Sequence, residues 1–594
     1  MKSIRKCDSI MTYLEEAKSI CSLWATLIAE ELVRLGVKVV CIAPGSRSTP
    51  LVAAIARRPE LEKVVCQDER SAAFFALGVG RSTRRPAVLI TTSGSAVANL
   101  LPAVVEASSD RVPLLLFTAD RPPELRGIGA NQAIDQPKIF GTYVRLFIDF
   151  PVPDQKIPLP FVLSSIDEAL HKCVHPLSGP VHINFMFREP FVPSTVDPWD
   201  ENLLSTLHHW VSTLAPLTQH FATKPLAETT AIQKVVDLME RSESGIIVAG
   251  AIDDEMAQTA LLSLAEKCGW PILPDVLSNL RFCKSAAVVN FADLALLDDK
   301  LPALRSDVVI QVGGRIVSKR LQHYLDHNNA NAHFFIDDHS DRLDPGCIVT
   351  HRIETQLTPF LHALADRLTP KLMSSHAKTW IANSDAVKNV VDAKGVVLID
   401  EIHVARSLVS KLGKDHIIFA SSSMPIRDLN MFANSQAHVP RLMANRGASG
   451  IDGIVSTACG VAKATKKRVV LLCGDLTFLH DTNGLSILPK IETPMVIVVI
   501  NNHGGGIFTM LDIQREREIF TPYFDAEHDV ELGALCGAHK IRHLLVSDVN
   551  CWNDALNEIP VTNEHLVVEV ESDKWRNREE HERLRTVVSE CFSM

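Results

Sequence analysis

The sequence predicts an α/β protein of three sequential domains, each a parallel sheet flanked by helices, and three observations carry that prediction. Its 594 residues exceed what one hydrophobic core holds. Short β-branched apolar runs alternate with amphipathic helical segments, as βαβ units do. The alternation comes in three blocks, separated by polar or proline-rich stretches.

In the first block "VKVVCIAPG", "VVCQDER", "AVLITTSGSA" and "VPLLLFTADRP" read as successive strands, each stopping at glycine, proline or polar residues. The proline-rich "REPFVPSTVDPWDEN" and the polar segment to about Lys224 read as a linker. A second block runs through "SGIIVAG", "DVVIQVGGR" and "AHFFIDD", with another join near residues 370 to 390. From Gly395 the strands return in "GVVLIDE", "HIIFASSS", "RVVLLCGD", "MVIVVINN" and "HLVVEVES", so the two ends look similarly built. The expected domains are residues 15–198, 225–370 and 390–594.

Composition excludes several partners. The net charge is −10 and no run of lysines and arginines offers a footprint for nucleic acid. Apolar runs such as "MVIVVI" are far shorter than the about 18 residues of a membrane span. The start, "MKSIRKCDSIMTYLEEAKSI", lacks the apolar core of a secretion signal and carries acidic residues, so a cytoplasmic protein is expected. Thirteen cysteines without a Cys-x-x-Cys pair read as core thiols in a reducing compartment, not as a zinc site. No Gly-x-x-x-x-Gly-Lys-Ser/Thr loop occurs, and "GVGRST" and "GIGANQ" each lack the third glycine of a dinucleotide fingerprint.

Ligands of open α/β sheets gather at the carboxyl ends of strands. In "VVLLCGDLTFLHD" an apolar run stops at Gly474-Asp475, and "MVIVVINNHGGGIF" stops at Asn501-Asn502, 27 residues beyond Asp475. One crossover between neighbouring parallel strands fits that spacing. A carboxylate, an amide oxygen and loop carbonyls on one rim are hard oxygen donors of the kind magnesium takes together with phosphate and water. Glycines 504 to 506 let backbone approach a phosphorylated ligand. The plainer reading is that Asp475 caps the following helix and the glycines make a turn.

Gly-Asp followed by Asn-Asn at this spacing resembles the diphosphate and metal signature of thiamine diphosphate enzymes. That resemblance implies Asp475, Asn502 and the Gly504 carbonyl as ligands of Mg²⁺ or Mn²⁺, with Gly474 beside the cofactor. Leu476 departs from the general motif, which has glycine there. "GDLTFLHD" with "NNHGGGIF" is instead similar to the subgroup that makes 2-succinyl-5-enolpyruvyl-6-hydroxy-3-cyclohexene-1-carboxylate in menaquinone synthesis, although His503 replaces a usual third asparagine.

Membership in this family implies its three-domain architecture: aminopyrimidine-binding, central and diphosphate-binding domains. It also implies a catalytic glutamate that drives tautomerisation of the aminopyrimidine, matched by Glu69 in "VVCQDERSAAFFALG". Asp68 and Arg70 read as structural. The implied substrates, 2-oxoglutarate and isochorismate, are both dicarboxylates, which calls for local cations. "APGSRSTPL" supplies Ser46 and Arg47, and "TADRPPELRGIGANQAIDQP" supplies Arg121, Asn131 and Gln132. "VGGRIVSKRLQ" supplies Lys319 and Arg320, "SSSMPIRDLN" supplies Ser423 and Arg427, and "MANRGASGIDG" supplies Arg446. The resemblance assigns Gln132 and Ser423 to the cofactor. It assigns Ser46, Arg47, Arg121, Asn131, Lys319, Arg427 and Arg446 to substrate. Ile451 matches the aliphatic support of the bent cofactor; Ile507 and Phe508 match its apolar wall, and Leu511 lies on the substrate side.

Such enzymes seat the cofactor between subunits, which implies a homodimer or homotetramer. The nearest alternative keeps the cofactor but acts as another 2-oxoacid decarboxylase or an acetolactate-synthase-like carboligase. An α/β nucleotide-binding or regulatory protein without catalysis is the alternative from another class.

Overall fold

The computed structural model describes residues 10–192, 196–297, 304–393, 398–433 and 440–592. The chain divides into two compact units. The first is the chain through Ala222 together with Asn445–Lys466 and His480–Thr493; the second is Thr223–Ala444, Lys467–Leu479 and the chain from Pro494 onward.

The first unit holds a six-stranded parallel sheet: β1 (Val39–Ile42), β2 (Glu62–Val65), β3 (Ala87–Thr91), β4 (Leu114–Asp120), β5 (Leu146–Phe150) and β6 (Pro180–Met186). Their spatial order is β2-β1-β3-β4-β6-β5. β1, β3 and β4 are buried along their whole length, and a strand covered on both faces needs the continuous apolar run that the sequence shows. The helix Glu69–Thr83 starts on an Asp68 cap that accepts the Ser71 N–H. It packs on the helix Ile454–Thr465 through glycines. A Cβ on Gly78 would lie 2.1 Å from the Thr457 carbonyl oxygen, and one on Gly460 would lie 2.1 Å from that of Phe75.

The polar stretch expected as a linker is only partly one. Within it Glu201–Leu207 and His208–Ser212 are helical, and Trp210 is fully buried, donating its ring N–H to Glu31 at 2.7 Å. Residues 193–195 of the proline-rich connection lie outside the described residues.

The second unit holds two parallel sheets. The smaller has β7 (Ile246–Ala249), β8 (Ile272–Pro274), β9 (Val308–Val312), β10 (Ala332–Asp337) and β11 (His351–Glu354), in the order β11-β10-β9-β7-β8. The larger has β12 (His416–Ala420), β13 (Arg441–Met443), β14 (Arg468–Gly474), β15 (Met495–Asn501), β16 (Arg542–Val546) and β17 (Leu566–Glu571). Its order, β13-β12-β14-β15-β17-β16, repeats that of the first sheet strand for strand. The join expected near 370 to 390 is occupied by the helix Ser375–Asp392, which buries Trp380, Val387 and Val391. Of the expected strand "GVVLIDE", residues 395–397 lie outside the described residues. The remainder is not strand but leads into the helix Glu401–Lys411, capped by Asp400.

In both six-stranded sheets the order reverses between the first and third strands, which opens a crevice at the strand ends. In the first unit the crevice is flanked by Gly45 to Arg47 after β1 and Thr92 to Gly94 after β3. A Cβ on Gly45 would strike Thr92 at 2.3 Å, so only glycine lets these turns meet. In the second unit it is flanked by residues 421–423 after β12 and by Asp475 after β14.

Candidate active site

β14 and β15 are neighbouring parallel strands in register from Val469 with Met495 to Gly474 with Ile500. Continuing that register sets Asp475 opposite Asn501, with Asn502 the next residue along the same rim of the sheet. Asp475 is 2% exposed. Its Oδ2 accepts the Gly504 N–H at 2.9 Å and its Oδ1 accepts the Leu476 N–H at 2.6 Å. The carboxylate thus reaches across to the β15 loop instead of serving only as a helix cap. Burial raises its pKa, while the two N–H groups and His528 act in the opposite direction.

The two asparagines point differently. Asn501 donates to Glu569 at 2.6 Å and accepts the His503 N–H at 3.2 Å, so its amide is consumed inside the unit. Asn502 donates to Glu401 at 3.0 Å, and its Oδ1 is buried with no hydrogen-bond partner among the described residues. Gly504 has φ +146°, and a Cβ there would lie 2.4 Å from the Asp525 carbonyl oxygen. His503, the departure from the usual asparagine, has φ 55°; histidine and asparagine are both enriched in that left-handed conformation, which explains the exchange. A Cβ on Gly474 would meet nothing within 4 Å.

Two neighbours of this cluster carried no sequence signal. Glu401 is buried, and burial followed by the charges of Asp428 and Asp475 pushes its pKa up to about 8, against hydrogen bonds from Asn502 and Ser572. His528 places Nε2 3.2 Å from Asp475 Oδ2. Lys574 pairs with Asp525 at 2.5 Å and donates to the His503 carbonyl at 3.3 Å, tying down the loop that carries His528.

The first unit gathers cations. Arg47 and Arg121 are 6% and 7% exposed, and each has a buried Nε without a hydrogen-bond partner among the described residues. Arg47 donates to the Phe187 carbonyl at 2.7 Å and lies 3.6 Å from Glu189. Burial, then repulsion from Arg121, lowers its pKa, and burial lowers that of Arg121. Ser93 joins two expected residues: its hydroxyl accepts from Arg121, and its carbonyl accepts from the Gln132 amide at 2.9 Å. Ser46 is exposed at the start of the turn Ser46–Ser48, and Asn131 and Gln132 are exposed. Glu69, half-buried, is the first residue of its helix, and among the described residues nothing hydrogen-bonds its carboxylate. Asp68 and Arg70 are structural: Asp68 caps, and Arg70 donates to the His480 carbonyl at 2.7 Å. Arg446 and Ile451 are half-buried in the loop before Ile454–Thr465.

The remaining expected residues belong to the second unit. Lys319 is exposed at the start of the helix Lys319–Asn328, and its neighbour Arg320 pairs with Asp293. Ser423 directly precedes the helix Met424–Phe432 with φ 74° and ψ −136°, a strained conformation for a residue with a Cβ; its side chain makes no capping bond, and its carbonyl accepts from Arg427. Ile507 packs on the cluster around Leu584, Phe508 meets Phe524 edge-on at 5.7 Å, and Leu511 is exposed.

The Asp475 rim fits a magnesium diphosphate. Among the described residues there is no group of three or more His, Cys, Asp or Glu that could form a side-chain metal cage. One carboxylate, the unpartnered Asn502 oxygen and a glycine carbonyl instead match an ion completed by phosphate and water, and the open space at Gly474 leaves room for the phosphate.

Comparisons with known proteins agree with this geometry. Models of the thiamine pyrophosphate enzymes match over residues 24–139 (N-terminal binding domain), 201–420 (middle domain) and 429–570 (C-terminal binding domain). The chain is 39% identical to Protein PHYLLO, chloroplastic, of Arabidopsis thaliana, over 97% of this chain but 36% of that longer protein. It is 42% identical to the 2-succinyl-5-enolpyruvyl-6-hydroxy-3-cyclohexene-1-carboxylate synthase of Rubrobacter xylanophilus, over 85% of this chain and 88% of that one. With the synthase of the same name from Salinibacter ruber the identity is 40%, over 95% and 96%. The chain therefore belongs to the 2-succinyl-5-enolpyruvyl-6-hydroxy-3-cyclohexene-1-carboxylate synthase family of thiamine pyrophosphate enzymes.

Proposed function

We propose that this protein decarboxylates 2-oxoglutarate and joins the remaining four-carbon unit to isochorismate, giving 2-succinyl-5-enolpyruvyl-6-hydroxy-3-cyclohexene-1-carboxylate and carbon dioxide in menaquinone synthesis. The observation that carries the reading is the Asp475–Gly504 bond beside the unpartnered Asn502 oxygen, at neighbouring strand ends. Thiamine diphosphate, when bound, supplies the nucleophilic carbon and the electron sink for both steps.

The chain's own residues do the rest. Asp475, Asn502 and the Gly504 carbonyl would hold Mg²⁺ or Mn²⁺, and Gly474, Gln132, Ser423, Ile451, Ile507 and Phe508 would contact the cofactor. Glu69 holds an uncommitted carboxyl for proton exchange with the aminopyrimidine nitrogen. Arg47, Arg121, Lys319, Arg427 and Arg446, with Ser46, Asn131 and Leu511, bind and orient the two acids. The buried Arg47 and Arg121, whose Nε groups have no hydrogen-bond partner among the described residues, support a dicarboxylate over a monoacid such as pyruvate. The domains are residues 15–198, 225–370 and 390–594, and the working form is a homodimer or homotetramer. The cytoplasm is the proposed location, supported by buried free thiols such as Cys41, Cys173 and Cys459.

The test is an assay of purified protein with thiamine diphosphate, Mg²⁺ and 2-oxoglutarate, with and without isochorismate. The expected result is consumption of both acids with release of carbon dioxide. Pyruvate serving equally well, or isochorismate left unconsumed, overturns the assignment.

A further inference from the structure

The loop of residues 445–450 after β13 carries Arg446 and is held from both sides. On one side the Asn445 side-chain amide donates to the Thr457 hydroxyl at 3.0 Å. On the other, the carboxylate of Glu106, 3% exposed on the helix Leu101–Ser109, accepts three successive backbone N–H groups. Gly447 donates to Oε1 at 2.9 Å, while Ala448 and Ser449 donate to Oε2 at 2.7 and 3.4 Å. Arg81 adds a contact to Oε1 at 3.2 Å and pairs with Asp110 at the end of the same helix. A Cβ on Gly447 would lie 2.7 Å from the Glu106 carbonyl oxygen and 2.9 Å from Asp110. Glycine is therefore the residue that lets the loop sit this low.

A buried carboxylate accepting several N–H groups is a strong, directional restraint. It fixes the backbone immediately after Arg446 while leaving the Arg446 side chain half-buried. We infer that Glu106 is a positioning residue that sets where the Arg446 guanidinium meets a substrate carboxylate. The inference rests on the proposed reading of Arg446 as a substrate ligand. It gives Glu106 no contact with substrate; its effect passes through the loop.

The test compares KM for each acid, and kcat, in the full-length holoenzyme for the parent, Arg446→Ala, Glu106→Gln and the double variant that combines them. Glu106→Gln keeps the shape of the side chain but offers an NH₂ where the loop N–H groups now donate. Arg446→Ala is expected to raise KM for one acid about tenfold or more, the worth of a charge-assisted hydrogen bond. Glu106→Gln should raise KM for that same acid, leave the other KM unchanged, and add nothing in the Arg446→Ala background. Gly447→Ala, which lifts the loop from its own side, should reproduce the signature and serves if Glu106→Gln fails to fold. Equal effects on both acids, additivity with Arg446→Ala, or parent-like behaviour overturns the inference while leaving Arg446 a ligand. A silent Arg446→Ala overturns the reading of Arg446 itself, and this inference with it.

Discussion

The side-chain amide of Asn502 donates to the buried carboxyl of Glu401 at 3.0 Å, which turns the amide oxygen, buried and unpartnered among the described residues, the other way. The bond fixes which end of the amide is taken up by the protein and which is left for a ligand. Asn502→Ala is expected to weaken Mg²⁺-dependent thiamine diphosphate binding by about 100-fold, and Glu401→Ala, which acts through orientation, by about tenfold. Titrating the cofactor at fixed Mg²⁺ and following protein fluorescence checks both. Parent-like affinity in both variants rules out an ion on this rim.

Glu69 stands at the start of a helix with no hydrogen bond to its carboxylate among the described residues, so its removal should leave the fold intact. Glu69→Gln is expected to lower kcat about 100-fold or more, the usual contribution of a positioned acid–base group. Cofactor affinity and thermal midpoint should stay at the parent's values. Near-parent turnover would show that another group exchanges the proton.

How much of this was legible depended on burial. β1, β3, β4, β14 and β15 are covered on both faces and announce themselves as apolar runs, and Asp475 and Asn502 stood out because they end such runs. β5, β11 and β16 are edge strands with exposed positions, so their signal is broken. β6 is central, but His182 and Asn184 interrupt it; both are buried in a polar network with Thr118. Trp210 was hidden in polar sequence because its anchor, Glu31, lies 179 residues away. Glu401 and His528 were missed for the same reason. A residue that orients a ligand from a distant segment leaves no local pattern, and "GVVLIDE" read as a strand while Glu401 in fact opens a helix. Conversely, Glu69 was legible through resemblance alone, since an acid in a first helical turn is ordinary dipole chemistry.

Gly78 and Gly460 let two helices of the first unit meet backbone to backbone. The obstruction at each is a helical carbonyl, which cannot swing aside as a side chain can. Gly78→Ala should destabilise by about 1–3 kcal/mol despite alanine's better helix propensity. Gly537→Ala, where a Cβ would meet nothing within 4 Å in the helix Leu532–Ala538, should be neutral or stabilising by up to about 1 kcal/mol. Denaturant unfolding of the two variants checks the contrast. Equal effects would mean that the close approach does not limit the packing.

Glu31 and Asp167 form a buried acid pair that holds the segment after the first domain's sheet. Glu31 accepts from Trp210 at 2.7 Å and the Leu217 N–H at 2.6 Å, and Asp167 accepts the Thr218 N–H at 2.7 Å. Burial, then the neighbouring Asp167, pushes the Glu31 pKa from 4.5 to about 8, so the folded pair retains a proton that the unfolded chain releases. The folded state therefore binds more protons between these values, and stability falls as pH rises from about 5 to about 8. Glu31→Gln cannot lose that proton. Its thermal midpoint relative to the parent should rise across this range, lowest at pH about 5 and highest at pH about 8. Melting both proteins in matched buffers checks the sign: a difference independent of pH would mean that Glu31 is ionised in the folded protein throughout.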